Sequence, residues 1–171
     1  MAQQSFLIDA NSFIEPYRKY YSFDFTTAFW DQMGQNIKDG NIVILDIVRD
    51  EIMRGDDDLT NWIKALPIGK LVDHREGQIL ANYGRVLQHI QSSPYFKESA
   101  LTEWAKESVA DPWLIAAAKA YSCQIVTFEV ANTNPDPKQP WKAAKIPTVA
   151  KEFGVTTLDL FSMMRSLHFR L

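Results

Sequence analysis

Cysteine is nearly missing from this sequence, and with it goes any disulfide-built fold. The single thiol, Cys123, has no partner in the chain, which suits a reducing cytosol. Flanked by Ser122 and Gln124, it reads as a small buried filler rather than a nucleophile. Glycine is also sparse: the 7 glycines are scattered, and no glycine-rich phosphate loop of the GxGxxG or Walker type occurs. The three histidines, His74, His89 and His168, show no zinc-ligand spacing. A GxSxG nucleophile elbow is absent as well. The longest apolar run, Trp113 to Ala118, falls far below the ~18 residues of a membrane span. No basic or apolar leader precedes Arg18, so neither a membrane partner nor a secretory or organelle signal is expected, and the location read from this is cytoplasmic. Excess positive charge is lacking too. With 18 Lys and Arg against 21 Asp and Glu, the net charge is −3. That disfavours a passive nucleic-acid coat, while leaving room for an enzyme with an acidic site and local basic patches.

What is present looks like an ordinary globule. At 171 residues, 46% hydrophobic and 23% charged, the chain is expected to form one domain over 1–171 with a core of its own. Short apolar runs at Phe6 to Ile8, Ile42 to Leu45, Ile125 to Phe128 and Val155 to Leu158 suit strands buried on both faces. Helical spacing fills the gaps. Asp24 is placed to cap a helix carrying Phe25, Phe29, Trp30, Met33 and Ile37, and Asp46 to cap Ile47 to Arg54. Leu59, Trp62, Ile63 and Leu66 share a face, as do Ile79, Tyr83, Val86, Leu87 and Ile90. Asp111-Pro112 is a strong helix start, and the helix it opens is apolar nearly all round. Strands alternating with helices predict an α/β sandwich around a mainly parallel sheet. The proline-bearing stretch 132–145 reads as a loop.

In such sheets ligands bind beyond the carboxyl ends of the strands. Asp9 closes the first strand, with Asn11 two residues on. Asp46 follows the second, Thr127 and Glu129 lie at the end of the third, and Asp111 opens the buried helix. Glu51 is more telling, because it sits among Ile47, Val48 and Ile52 on one helical stripe. A carboxylate in an apolar stripe asks for a compensating cation or a proton. Each acid also has a plain structural reading: Asp46 and Asp111 as helix caps, Asp9 as a turn residue, Glu51 as a border residue.

Taken together, Leu7-Ile8-Asp9-Ala10-Asn11, Glu51, the run Ala110-Asp111-Pro112-Trp113-Leu114-Ile115-Ala116 and Val126-Thr127-Phe128-Glu129 resemble the PIN domain family. These are metal-dependent ribonucleases, many of them toxins of the VapC type paired with an antitoxin. The resemblance implies a PIN-like three-layer α/β/α sandwich with a short central sheet. It implies metal-binding and catalytic acids at Asp9, Glu51 and Asp111, with Glu129 where the family more often has Asp, and supporting roles for Asn11 and Thr127. Residues 56–108 are longer than usual for the family and imply an extended helical insertion anchored by Trp62 and Trp104. Converging carboxylates without histidine or thiolate form a hard-oxygen site suited to Mg²⁺ or Mn²⁺, as one ion or two.

RNA beside an acidic centre needs cations just outside it. Arg18 and Lys19, within Tyr17-Arg18-Lys19-Tyr20-Tyr21, are one candidate set, unless those rings pack into the core instead. Lys138, Lys142 and Lys145, with Trp141, are the other. The expected activity is hydrolysis of RNA phosphodiester bonds, with growth arrest, an antitoxin partner and a homodimer implied by the resemblance. The rival is a degenerate PIN-like module that binds RNA or protein without cutting. A phosphatase with a strand-borne nucleophilic Asp would need a second acid where Asn11 stands, and an amide cannot supply its proton.

Overall fold

The computed structural model describes residues 4–171. Five short strands carry the fold: β1 (Phe6–Ile8), β2 (Ile42–Leu45), β3 (Leu71–Val72), β4 (Gln124–Val126) and β5 (Thr157–Leu158). All pairings are parallel, in the order β3-β2-β1-β4-β5. Phe6 pairs with Ile42 on one side of β1 and with Gln124 on the other. Every residue of β1 and β2 is buried, as expected where helices cover both faces of a parallel sheet.

Nine helices flank the sheet among the described residues: α1 (Asn11–Lys19), α2 (Thr27–Lys38), α3 (Asp46–Met53), α4 (Asp58–Ala65), α5 (Gly77–Ser92), α6 (Glu98–Trp104), α7 (Asp111–Tyr121), α8 (Ile146–Glu152) and α9 (Leu160–Ser166). The result is the expected three-layer α/β/α sandwich, its sheet wholly parallel. α7 lies at the centre, with its residues from Pro112 to Ala118 all buried and α5 packed along it. Its apolar circumference leaves no polar face for water. The stretch 56–108 contributes more than helices, because β3 within it forms the edge of the sheet. Trp104 is buried, and Trp62 meets Trp30 edge-on at 5.0 Å between ring centres.

Two expected caps fall elsewhere. The helix assigned to Asp24 begins at Thr27, and Asp24 instead accepts a hydrogen bond from Ser22. Asp46 is the first residue of α3 rather than the one before it, and its Oδ1 accepts the Ile47 N–H of that turn as well as the His74 N–H. At the far edge, Gly69 passes so near α2 that a Cβ there would lie 2.0 Å from the Lys38 carbonyl oxygen. Only glycine lets the chain approach so closely before it enters β3.

The order of the strands decides where a site can form. The chain runs from β1 outward through β2 to β3, then returns to place β4 on the opposite side of β1. The topological switch therefore lies between β1 and β4, and a crevice opens beyond their carboxyl ends.

Candidate functional site

Asp9 and Thr127 meet in that crevice. The Asp9 backbone N–H donates to the Val126 carbonyl at 3.0 Å, carrying the β1–β4 pairing to the strand ends. The Thr127 hydroxyl donates to Asp9 Oδ2 at 3.0 Å and accepts the Glu129 N–H at 3.1 Å. Both side chains are buried, at 5% and 4% exposure. Burial outweighs the Thr127 bond, and the charges of Glu51 and Glu129 add to it, so the Asp9 carboxyl is pushed up to about 6.

Asp111 is the informative neighbour. It is the first residue of α7, after the N-cap Ala110, and its half-buried carboxylate has no hydrogen bond among the described residues. Burial, followed by the negative charge of Glu129, Asp9 and Glu51, pushes its carboxyl up to about 7, with Lys145 opposing. Glu51 is half-buried on α3, its pKa raised by burial and eased by Arg54. Four acids thus act on one another electrostatically, from the end of β1, α3, α7 and the segment after β4, but no three of them bring ligand atoms within 4.8 Å of one another. Glu129 is held differently. Its Oε1 accepts from Lys145 Nζ at 3.0 Å, and its Oε2 accepts the Ile146 N–H of the first turn of α8 at 2.7 Å.

Asp9 and Glu129 line a cleft of about 280 Å³ together with Asn11, Glu15, Tyr20 and Phe128, while Glu51 and Asp111 are not among its lining residues. Tyr20 belongs to the aromatic and basic run and Phe128 to the Val126–Glu129 motif, whereas Glu15 is new. Glu15 had a readable signal, because it lies one turn beyond Asn11 on the same face of α1. It pairs with Lys19 at 2.5 Å. The aromatic run divides: Tyr21 stacks on Phe29 at 4.4 Å and Tyr17 leans on Phe23 at 5.7 Å, so both serve the core. Tyr20 remains 52% exposed at the cleft. Arg18, Lys138 and Lys142 are exposed, while Lys145 is tied to Glu129.

A second group lies at the ends of β2 and β3. Ligand atoms of Asp46, Asp73 and His74 all fall within 4.8 Å of one another, the one such trio among the described residues and close enough to hold a metal ion. Its carboxylates are already engaged. Asp46 Oδ1 accepts the N–H groups of Ile47 (2.8 Å) and His74 (3.1 Å), and His74 Nδ1 lies 2.8 Å from Oδ2. Asp73 takes the backbone N–H and the guanidinium of Arg75, which hold its carboxyl below the usual range. Sequence spacing hides this trio because parallel pairing of β2 with β3 creates it.

The family described as Domain of unknown function (DUF4411) matches residues 6–171. No curated protein matches the chain in sequence. Among solved structures, the chain is similar to the crystal structure of VapBC2 from Rickettsia felis bound to a DNA fragment from their promoter. The TM-score is 0.54 at 12% identity, over 91% of this chain and 98% of that one. At that identity the likeness speaks for the fold. No helix of the described residues is long and apolar enough to cross a membrane.

Proposed function

The chain belongs to the DUF4411 family of domains of unknown function, and from that premise we propose that it is a metal-dependent endoribonuclease. The observation that carries this reading is the pair Asp9 and Asp111, a buried and a half-buried carboxylate raised to about 6 and 7 beside Glu51 and Glu129. Carboxyls shifted by burial and by one another's charge call for a compensating cation or a proton. Asp9, Glu51 and Asp111 would hold Mg²⁺ or Mn²⁺. The all-oxygen donor set and the two raised carboxyl groups fit a hard divalent cation. When bound, such an ion supplies an acidic water and positive charge for phosphodiester oxygens.

The chain's own residues do the remaining work. Thr127 fixes the Asp9 carboxylate from one side. Asn11, exposed at the cleft mouth, is placed to orient an incoming phosphate or water. Glu129, engaged at both oxygens, contributes negative field and acts through water rather than by direct contact. Arg18, Lys19, Lys138 and Lys142 supply phosphate contacts around the acidic centre. Resemblance to VapC-type toxins extends the proposal to growth arrest, an antitoxin covering the cleft and a homodimer. The stretch 56–108 is read as an insertion that reshapes one flank of a single domain.

Sequencing RNA 5′ ends after controlled expression of the wild type and Asp9→Asn tests the reading. New ends that appear with the wild type and vanish with the variant support it; identical profiles reject it. The engagement of Glu129 favours one rival, a PIN-like module that binds without cutting. Mn²⁺ titration separates the two, because a degenerate centre takes up no ion.

A further inference from the structure

The largest cavity described lies away from the acids. It measures about 560 Å³, and its walls come from the end of α5, the segment before α6, the loop after β4 and the start of α8. Rings dominate the lining: His89, Tyr95, Phe96 and Trp141, with Pro135 and Pro147. The arrangement is built rather than incidental. Trp141 donates its N–H to the Tyr95 carbonyl, and the Lys97 N–H donates to the Trp141 carbonyl, both at 2.8 Å. The Trp141 indole N–H donates to the Thr133 carbonyl at 2.8 Å, and Phe96 meets the indole at 5.3 Å. Asn132 ties the loop to α8 through the Thr148 hydroxyl at 2.6 Å. A preformed aromatic cavity spares a ligand the cost of ordering its walls.

Its position relates it to the acids. The cleft at Asp9 shares Phe128 and Glu129 with a hollow along the segment after β4, and that hollow shares Ala131 and Pro147 with the aromatic cavity. The three hollows thus adjoin in series from the Asp9 cleft to the rings. Lys151 and Glu152 line the far end, and Lys138 and Lys142 are exposed on the loop that carries Trp141. Stacking faces in line with the acidic cleft, with exposed lysines on the adjoining loop, match a single strand whose bases are splayed from its backbone. We propose that this cavity receives a nucleobase of the RNA, one or a few nucleotides from the phosphodiester held at Asp9 and Asp111. The proposal rests on the nuclease reading and goes beyond it, because it assigns recognition to Tyr95 and Trp141 rather than to the lysines.

The test separates binding from cleavage. Fluorescence anisotropy of a short fluorescein-labelled single-stranded oligoribonucleotide of mixed sequence is measured in EDTA, where no turnover occurs. Trp141→Ala is expected to weaken binding about tenfold and Trp141→Phe to restore it to within about threefold. Tyr95→Ala, a change at an exposed side chain that leaves the backbone bonds in place, is expected to weaken it about fivefold. A second measurement leaves the protein untouched: oligonucleotides with one abasic site at successive positions should show a single position of large loss. Unchanged affinity in Tyr95→Ala together with a flat abasic profile overturns the proposal, as does equal affinity for a base-free polyphosphate. Base-dependent binding without cleavage in Mn²⁺ retains the subsite and rejects the nuclease. Cleavage with unaltered KM in the Tyr95 and Trp141 variants does the reverse.

Discussion

Two groups of acids stand at the carboxyl ends of this sheet, and they differ in a way that distance alone does not reveal. Asp46 and Asp73, with His74, are the tighter set, all within 4.8 Å. Yet every carboxylate there is answered by N–H groups, by a ring nitrogen or by Arg75, and Asp73 is held below its usual range. Asp9, Glu51, Asp111 and Glu129 reach one another through field more than contact, and there Asp9 and Asp111 rise to about 6 and 7. The first set has its compensation built in. In the second only Glu129 is answered, by Lys145 and Ile146, and the raised Asp9 and Asp111 call for compensation from outside.

The largest expected effect that would test this contrast is catalytic. Asp9→Asn and Asp111→Asn should each lower Mn²⁺-dependent cleavage of a fluorescent RNA at least ~100-fold, whereas Asp46→Asn should stay within several-fold of wild type. Equal losses in all three variants would erase the distinction. Next comes uptake of the ion. Calorimetric titration with Mn²⁺ should lose its heat in Asp111→Asn and keep it in His74→Ala; the opposite pattern would transfer the centre to the β2–β3 end.

Stability should also divide the two sets, with opposite signs. The Asp9 and Asp111 carboxyls bind protons more tightly folded than unfolded, so their stabilisation is fullest near pH 4 and is lost as pH rises through 6 to 7. At about 1.4 kcal/mol per pKa unit, metal-free protein should show a falling Tm from pH 5 to 8, and Asp111→Asn should melt higher than wild type at pH 8. Asp46→Ala should instead lower stability by about 1–3 kcal/mol, because it leaves N–H groups unanswered. The smallest effect concerns the loop. Charge reversal at Lys142 should weaken RNA binding and flatten its salt dependence by about one unit of slope, while the Mn²⁺ heat stays constant.

Much of the scaffold was readable because burial leaves a plain trace. Ile42–Leu45 is apolar at every position and forms β2 with those bounds. α7 announced itself through Asp111-Pro112 and a fully apolar stretch. β3 left no such trace, since it is two residues long with Leu71 exposed. α1 was hidden by Pro16, which normally argues against a helix interior. The acids were visible individually, yet local sequence could not decide between a cap and a site. A cap is a bond to the nearest N–H, and whether Asp111 makes it depends on the β1–β4 crevice that α7 happens to face. The aromatic cavity was illegible for a similar reason. Its walls lie about fifty residues apart in the chain and meet through backbone bonds of Trp141 to Tyr95 and Lys97.

The clasp between Glu129 and Lys145–Ile146 closes the loop after β4 at its root. A segment whose two feet are joined can change in length and composition between them without tugging on its supports. Between those feet Asn132 and Trp141 hold the span to α8 and to Tyr95, so only its tip, 135–139, is free to vary. Exchanging that tip should leave the fold and the Mn²⁺ heat as they are.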